Sequence, residues 1–359
     1  MNDLPVIGFG TWVDSQGGQQ LNDIVDQVQQ AYAIGYRHFD TAANYGTEKL
    51  VQQALMTLIV DSYTDARSGQ GVTELRRNSG SEATVRTPME RSSFFVTTKY
   101  GSGHVPTPSE MYRYHLVGGV PIEDIPPQDR NLGHSSGVPG VISGFQLVPE
   151  DTPQVDFGYF DLILLHNPPL TADQNRFELQ LLDDWNRLIT LQKAGYAKRI
   201  GVSNFYARQL GILLDLCRIN GLPLPYVNQI EFHPWCQMPD LVAQCQGYGI
   251  MVVAHTPLGG LASGYILQRP ELDQIASRLT QQLGHDVTPA QVVLAFALRQ
   301  GIVVIPKSTQ PARMEENLGA VGIVNALTED DLTLIRSMDI GQPLIELSQT
   351  AWLLDQQLQ

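Results

Sequence analysis

Cysteine is scarce in this chain. Cys217, Cys236 and Cys245 are the three thiols among 359 residues. An odd count at no metal-like spacing argues against a disulfide framework or a thiolate metal site, and it suits a reducing, cytoplasmic setting. Positive charge is also short. Against 37 Asp and Glu there are 23 Lys and Arg, a formal net charge of −14. Phosphate backbones need a basic face, so this balance argues against nucleic acid as a partner; an acidic surface serves solubility. No apolar run reaches the ~18 residues of a membrane span. No basic segment followed by an apolar stretch marks a secretory signal at the N-terminus.

The chain does have apolar residues enough for a substantial core, 43% of the sequence. Its length fits two average domains or one large barrel. Eight short apolar segments read as strands: Val6–Phe9, His38–Thr41, Phe94–Thr98, Leu162–His166, Arg199–Val202, Val227–Ile230, Met251–Ala254 and Val303–Ile305. Most are near-continuous rather than alternating, as expected of strands covered on both faces. Helical patterns lie between most of them. Ile24, Val28, Ala31 and Tyr32 recur at helical spacing before Gly35; Leu181, Trp185, Leu188 and Ile189 do so before Gly195. Thr288-Pro289 starts another helix, which Gly301 closes. Strand–helix alternation repeated eight times predicts a single α/β domain over 1–359, a (β/α)8 TIM barrel. In such a barrel chemistry gathers just past the strand C-termini, where Asp40, Lys99, His166, Ser203, Gln229, Thr256 and Lys307 fall.

Two segments break the rhythm, at about 60–91 and 101–157. The first is polar; the second holds Pro121, Pro126, Pro127, Gly137, Pro139 and Gly140. Loops of this length are functional or disordered as a rule. The second leaves the third strand beside Lys99 and returns to the strand ending in His166. It is expected to be a lid over the site or a surface for a protein partner, with a spacer as the plain alternative.

The run His38-Phe39-Asp40-Thr41-Ala42-Ala43-Asn44-Tyr45-Gly46-Thr47-Glu48 puts a carboxylate at a strand end and a phenol five residues later. Phe95-Val96-Thr97-Thr98-Lys99 and Leu162-Ile163-Leu164-Leu165-His166 each deliver one more ionisable side chain. Singly, these are a helix cap, a loop aromatic, a surface lysine and a structural histidine. Together on one rim they make a proton-donating site. In order and context, from Gly8-Phe9-Gly10-Thr11-Trp12 to Ile305-Pro306-Lys307-Ser308 and Glu316-Asn317, the chain resembles the aldo-keto reductase superfamily.

That resemblance implies reduction of an aldehyde or ketone by NADPH. Tyr45 would be the general acid, Lys99 the partner that lowers its pKa, Asp40 the anchor of Lys99, and His166 the group that orients the carbonyl. No Gly-x-Gly-x-x-Gly follows a strand, so a Rossmann site is not supported. Instead the resemblance assigns the nicotinamide carboxamide to Ser203, Asn204 and Gln229. It assigns the ribose 2′-phosphate to Lys307, Ser308 and Arg313, and the adenine to Glu316 and Asn317. Thr256 and Leu258 complete the cofactor set. His255 stands where the family usually stacks a Tyr on the nicotinamide, and an imidazole there is expected to titrate. Asn167 follows His166 where the family often has Trp. Trp12, Trp235 and Trp352 remain as pocket aromatics. The family also places a β-hairpin before the Gly-Thr-Trp segment, for which only a handful of residues stand here.

The runner-up is an NADPH-binding regulatory or scaffold protein on the same barrel, with the insertions as its interaction surfaces. A lyase or isomerase barrel is a third reading, but it leaves Ser203, Asn204, Gln229 and Arg313 without a purpose. Fold alone does not choose among them.

Overall fold

A computed structural model describes residues 3–13, 21, 23–68, 89–111 and 157–358. Among them, eight parallel strands pair in sequence order: β1 (Phe9–Gly10), β2 (His38–Asp40), β3 (Phe95–Tyr100), β4 (Phe160–Leu165), β5 (Ala197–Ser203), β6 (Val227–Glu231), β7 (Met251–His255) and β8 (Val303–Val304). The sheet closes on itself. Ile7 bridges Val304, the Gly8 N–H donates to the Val304 carbonyl at 2.8 Å, and the Val304 N–H donates to the Val6 carbonyl at 3.0 Å. The expected first strand is thus divided: Ile7 and Gly8 serve β8, while Phe9 and Gly10 pair with β2. The stagger between neighbouring strands that closes a barrel accounts for the split.

The helices are α1 (Asp23–Ile34), α2 (Glu48–Ser68), α3 (Pro108–Glu110), α4 (Gln174–Lys193), α5 (Ala207–Asn220) and α6 (Pro239–Gly247). They continue with α7 (Ser263–Ile266), α8 (Pro270–Leu283), α9 (Pro289–Arg299), α10 (Pro311–Gly319), α11 (Glu329–Arg336) and α12 (Glu346–Asp355). The cap at Thr288 is present: its hydroxyl accepts from the Gln291 N–H at 3.3 Å, and the Gln291 side chain accepts from the Thr288 N–H at 3.1 Å. The irregular stretch expected from residue 60 begins as helix, because α2 runs on to Ser68. The second stretch opens with a turn and the short α3. Residues 69–88 and 112–156 lie outside the described residues, and with them the lid and partner surface.

Two cores follow from the two faces of the barrel wall. Phe95, Leu162, Leu164, Val227, Val253, Val303 and Ile305 fill its interior with Leu4. Their strand neighbours Val96, Ile163, Leu165, Ile200, Val202, Ile230, Val252, Ala254 and Val304 pack outward against the helices. Alternation with period two carries the inward side to the top of each strand. Asp40 follows His38, Lys99 follows Phe95 and Thr97, and His166 follows Leu162 and Leu164. Gln229 follows Val227, and His255 follows Val253. The same apolar strands that build the interior therefore aim these polar groups at one mouth. Lower in the barrel, where β2 and β6 begin, space is tight: a Cβ on Gly8 would stand 2.5 Å from the His38 ring, and one on Gly201 2.6 Å from the Val227 carbonyl.

Candidate active site

At the barrel mouth Lys99 is the hub. Its ammonium donates to Asp40 Oδ1 at 2.5 Å, to the Thr41 carbonyl at 2.9 Å and to the Tyr45 hydroxyl at 3.5 Å. It also sits 4.8 Å from the Tyr45 ring centroid. Lys99 and Asp40 are buried, and Asp40 Oδ2 accepts from Gln229 Nε2 at 2.8 Å. Burial alone would strip the lysine of its charge. The Asp40 carboxylate and the Tyr45 phenol overcome that cost and hold the ammonium above its ordinary pKa.

Lys99 lowers the Tyr45 pKa as expected, but burial outweighs it. Burial raises the Tyr45 pKa and Asp40 adds to the rise, while Lys99 pulls it down; the net direction is up from 10.0. Tyr45 is thus firmly protonated near neutrality. The Lys99 ammonium beside it is placed to favour a phenolate over the neutral phenol. The His166 ring meets Tyr45 edge to face, with centroids 5.6 Å apart at 73°. Burial, then the Lys99 charge, and last the coupling to the His255 ring push the His166 pKa well below the usual imidazole value. A neutral imidazole beside the phenol can hydrogen-bond a carbonyl oxygen without competing for its proton.

On the β5–β7 side the expected carboxamide residues meet, already bonded to one another. The Ser203 hydroxyl donates to the Gln229 carbonyl at 2.8 Å. Asn204 Nδ2 donates to the His166 carbonyl at 2.9 Å and to Ser203 Oγ at 3.3 Å. Asn204 holds φ +59° and Thr256 φ +52°, a left-handed conformation that Asn tolerates far better than a β-branched Thr. His255 is bonded through both ring nitrogens, at 3.0 Å to Thr256 Oγ1 and 3.0 Å to Asn204 Oδ1. Burial, with the Lys99 charge and against the Glu231 charge, lowers its pKa to about 4. The expectation that this imidazole titrates near neutrality is therefore corrected.

At the end of β8, Lys307 and Ser308 are partly buried and Arg313 is exposed on α10. Ser308 Oγ accepts from the Gln310 N–H at 3.0 Å. Glu316 Oε1 accepts from Thr288 at 2.5 Å, which binds it to α9, and Asn317 is buried. The pocket aromatics fare unequally. Trp12 is 55% exposed, whereas Trp235 and Trp352 pack against the outer core. Asn167 donates to the Pro168 carbonyl at 2.8 Å, and Leu258 is partly buried.

Three participants escaped the sequence reading. The Thr41 carbonyl is a ligand of Lys99. Glu231, fully buried one inward position above Gln229, accepts from His233 and from the Leu344 and Ile345 N–H groups at 3.0, 2.7 and 3.0 Å. Ser348 of α12 donates to Asn204 Oδ1 at 3.1 Å. Strand alternation could have found Glu231; nothing local marks Thr41 or Ser348.

The Aldo/keto reductase family model matches residues 6–116 and 150–340. The chain belongs to the aldo/keto reductase family. The break in the match falls inside the second insertion. This reductase is 29% identical over 347 residues to the NAD(P)H-dependent D-xylose reductase I,II of Candida tropicalis, covering 94% of this chain and 90% of that protein. It is 28% identical over 355 residues to the NADH-dependent D-xylose reductase of Candida parapsilosis, covering 94% and 90%. Among solved structures it is similar to a point mutant of Gox0644 in complex with NADPH, with a TM-score of 0.63 and 25% identity, covering 96% of this chain and 93% of that one. Among the described residues no group of three or more His, Cys, Asp or Glu could hold a metal, and no helix is long and apolar enough to cross a membrane.

Proposed function

We propose that this aldo/keto reductase reduces an aldehyde or ketone with NADPH in preference to NADH, and that Tyr45 supplies the proton. The observation that carries the reading is the contact chain Asp40–Lys99–Tyr45 with His166 against the phenol ring. A carbonyl oxygen placed between Tyr45 and His166 would accept the phenolic proton while neutral His166 orients it. Lys99, kept charged by Asp40, would stabilise the phenolate left behind.

The residues present fit a nicotinamide dinucleotide. Gln229 keeps Oε1 without a hydrogen bond among the described residues. The first-turn N–H groups of α10 have no side-chain cap, and exposed Arg313 in that turn has no ion pair among the described residues, a donor set suited to a phosphate. Ser203, Asn204 and Gln229 would hold the carboxamide, with Thr256, Leu258 and His255 beside the ring. Lys307, Ser308 and Arg313 would take the 2′-phosphate, and Glu316 and Asn317 the adenine. When bound, the dinucleotide supplies the hydride. Relatives that differ in their named cofactor make the phosphate residues the deciding ones.

The test follows NADPH absorbance with aldehydes, ketones and aldose sugars, and repeats it with NADH. Turnover with NADPH and at least one carbonyl is expected. Tight NADPH binding with no turnover on any carbonyl would favour the regulatory alternative.

A further inference from the structure

The Asn204 side chain has four hydrogen-bonding positions, two donors and two acceptor lone pairs. All four are used inside the protein. The His166 carbonyl can only accept, so the amide nitrogen faces it at 2.9 Å, and its second proton goes to Ser203 Oγ at 3.3 Å. That fixes Oδ1 toward Ser348 Oγ at 3.1 Å and His255 Nε2 at 3.0 Å, both of which must donate. His255 is therefore the Nε2–H tautomer, with Nδ1 accepting from Thr256. An incoming carboxamide N–H has to displace one of the two donors on Oδ1.

The two are not equally replaceable. His255 Nε2–H has no other acceptor within hydrogen-bond reach among the described residues. Ser348 presents a single hydroxyl, whose O–H can turn away from Oδ1. A hydroxyl turns about one bond, so the exchange needs no movement of α12. The helix itself is held elsewhere. Asp355 Oδ1 accepts from the Gln209 N–H at 2.7 Å, and Gln209 Nε2 donates to the Ala351 carbonyl at 2.8 Å.

We propose that Ser348 is the exchange partner of the nicotinamide carboxamide: it occupies Asn204 Oδ1 and gives up that bond when a carboxamide N–H takes its place. Ser348 is in this sense a positioning residue that competes with cofactor. The proposal rests on the reading that Asn204 receives the carboxamide.

The experiment measures dissociation constants by protein fluorescence for NADPH and for its reduced 3-acetylpyridine analogue. The acetyl group of the analogue has no N–H and makes no demand on Asn204 Oδ1. Removing the competitor in Ser348→Ala is expected to tighten NADPH by about 2- to 10-fold, the scale of one neutral hydrogen bond, and to leave the analogue unchanged. Unchanged or weakened NADPH binding, or equal tightening of both ligands, overturns the exchange. Asn204→Gly, which keeps the left-handed backbone, decides the underlying reading separately. It should weaken NADPH and spare the analogue. Undiminished NADPH binding in that variant means that Asn204 is not the carboxamide residue. Thermal unfolding of Ser348→Ala alongside wild type shows that the helix remains docked.

Discussion

Gln229 Nε2 and Lys99 Nζ grip opposite oxygens of one carboxylate, Asp40, at 2.8 and 2.5 Å. A residue proposed for the cofactor thus also braces the carboxylate that holds Lys99. Removing it in Gln229→Leu leaves a buried carboxylate oxygen without its donor. Stability should fall by about 1–3 kcal/mol, the cost of an unsatisfied buried group, read as a lower urea midpoint. Turnover should fall together with cofactor affinity. A loss of affinity alone, at wild-type stability, would mean that the contact to Asp40 carries no weight.

Tyr45→Phe removes the proposed proton donor and little else, since the ring can still meet His166 edge to face. The rate constant kcat should drop by at least about 10²-fold, as when a positioned general acid is lost. NADPH binding, followed by fluorescence quenching, should persist. Near-wild-type turnover would remove Tyr45 from the acid role.

Asp40, Lys99 and His166 could be placed because each ends a strand on its inward period: Asp40 two residues after His38, Lys99 after Phe95 and Thr97, His166 after Leu162 and Leu164. Tyr45 lies in the turn Ala43–Tyr45 after β2, outside that alternation. What could not be read is what meets across distant segments. Ser348 and Asn204 are 144 positions apart, and no local pattern announces their bond. Net pKa directions were equally hidden. That of Tyr45 depends on whether burial or Lys99 prevails, and that of His255 on how far its ring is withdrawn from water. The exposure of Trp12, 55%, was likewise not legible from its motif.

Arg313 is the residue proposed to tell NADPH from NADH. It is exposed on the first turn of α10 and has no ion pair among the described residues, so its removal costs the fold little. Arg313→Ala should weaken NADPH by about 1.5–3 kcal/mol, the range of a charged hydrogen bond, and leave NADH nearly unchanged. Titrating both cofactors checks this. Equal loss for both would make Arg313 a general contributor to the site and not the reader of the 2′-phosphate.

Two buried histidines, His38 and His166, and the half-buried His255 make the fold sensitive to acid. Burial and the Lys99 charge lower His38 to about 3; burial lowers His255 to about 4 and, with Lys99, His166 well below the usual value. In the unfolded chain each takes up a proton near 6.5. Between that value and the folded pKa the unfolded state binds more protons, so acid favours unfolding. The stability due to the neutral rings is complete above about pH 6.5. It drains away as pH falls toward about 4 for His255 and about 3 for His38. At pH 5 each ring withdraws up to about 2 kcal/mol relative to pH 7.5. Urea midpoints at those two pH values should show the loss, and His255→Gln should show a smaller one. The same neutrality bears on cofactor. A His255 that stays uncharged repels neither redox form, so the ratio of NADP+ to NADPH affinities should stay constant from about pH 8 down to about pH 5. A ratio that shifts through pH 6–7 in wild type and not in His255→Gln would show that the imidazole titrates after all and faces the nicotinamide.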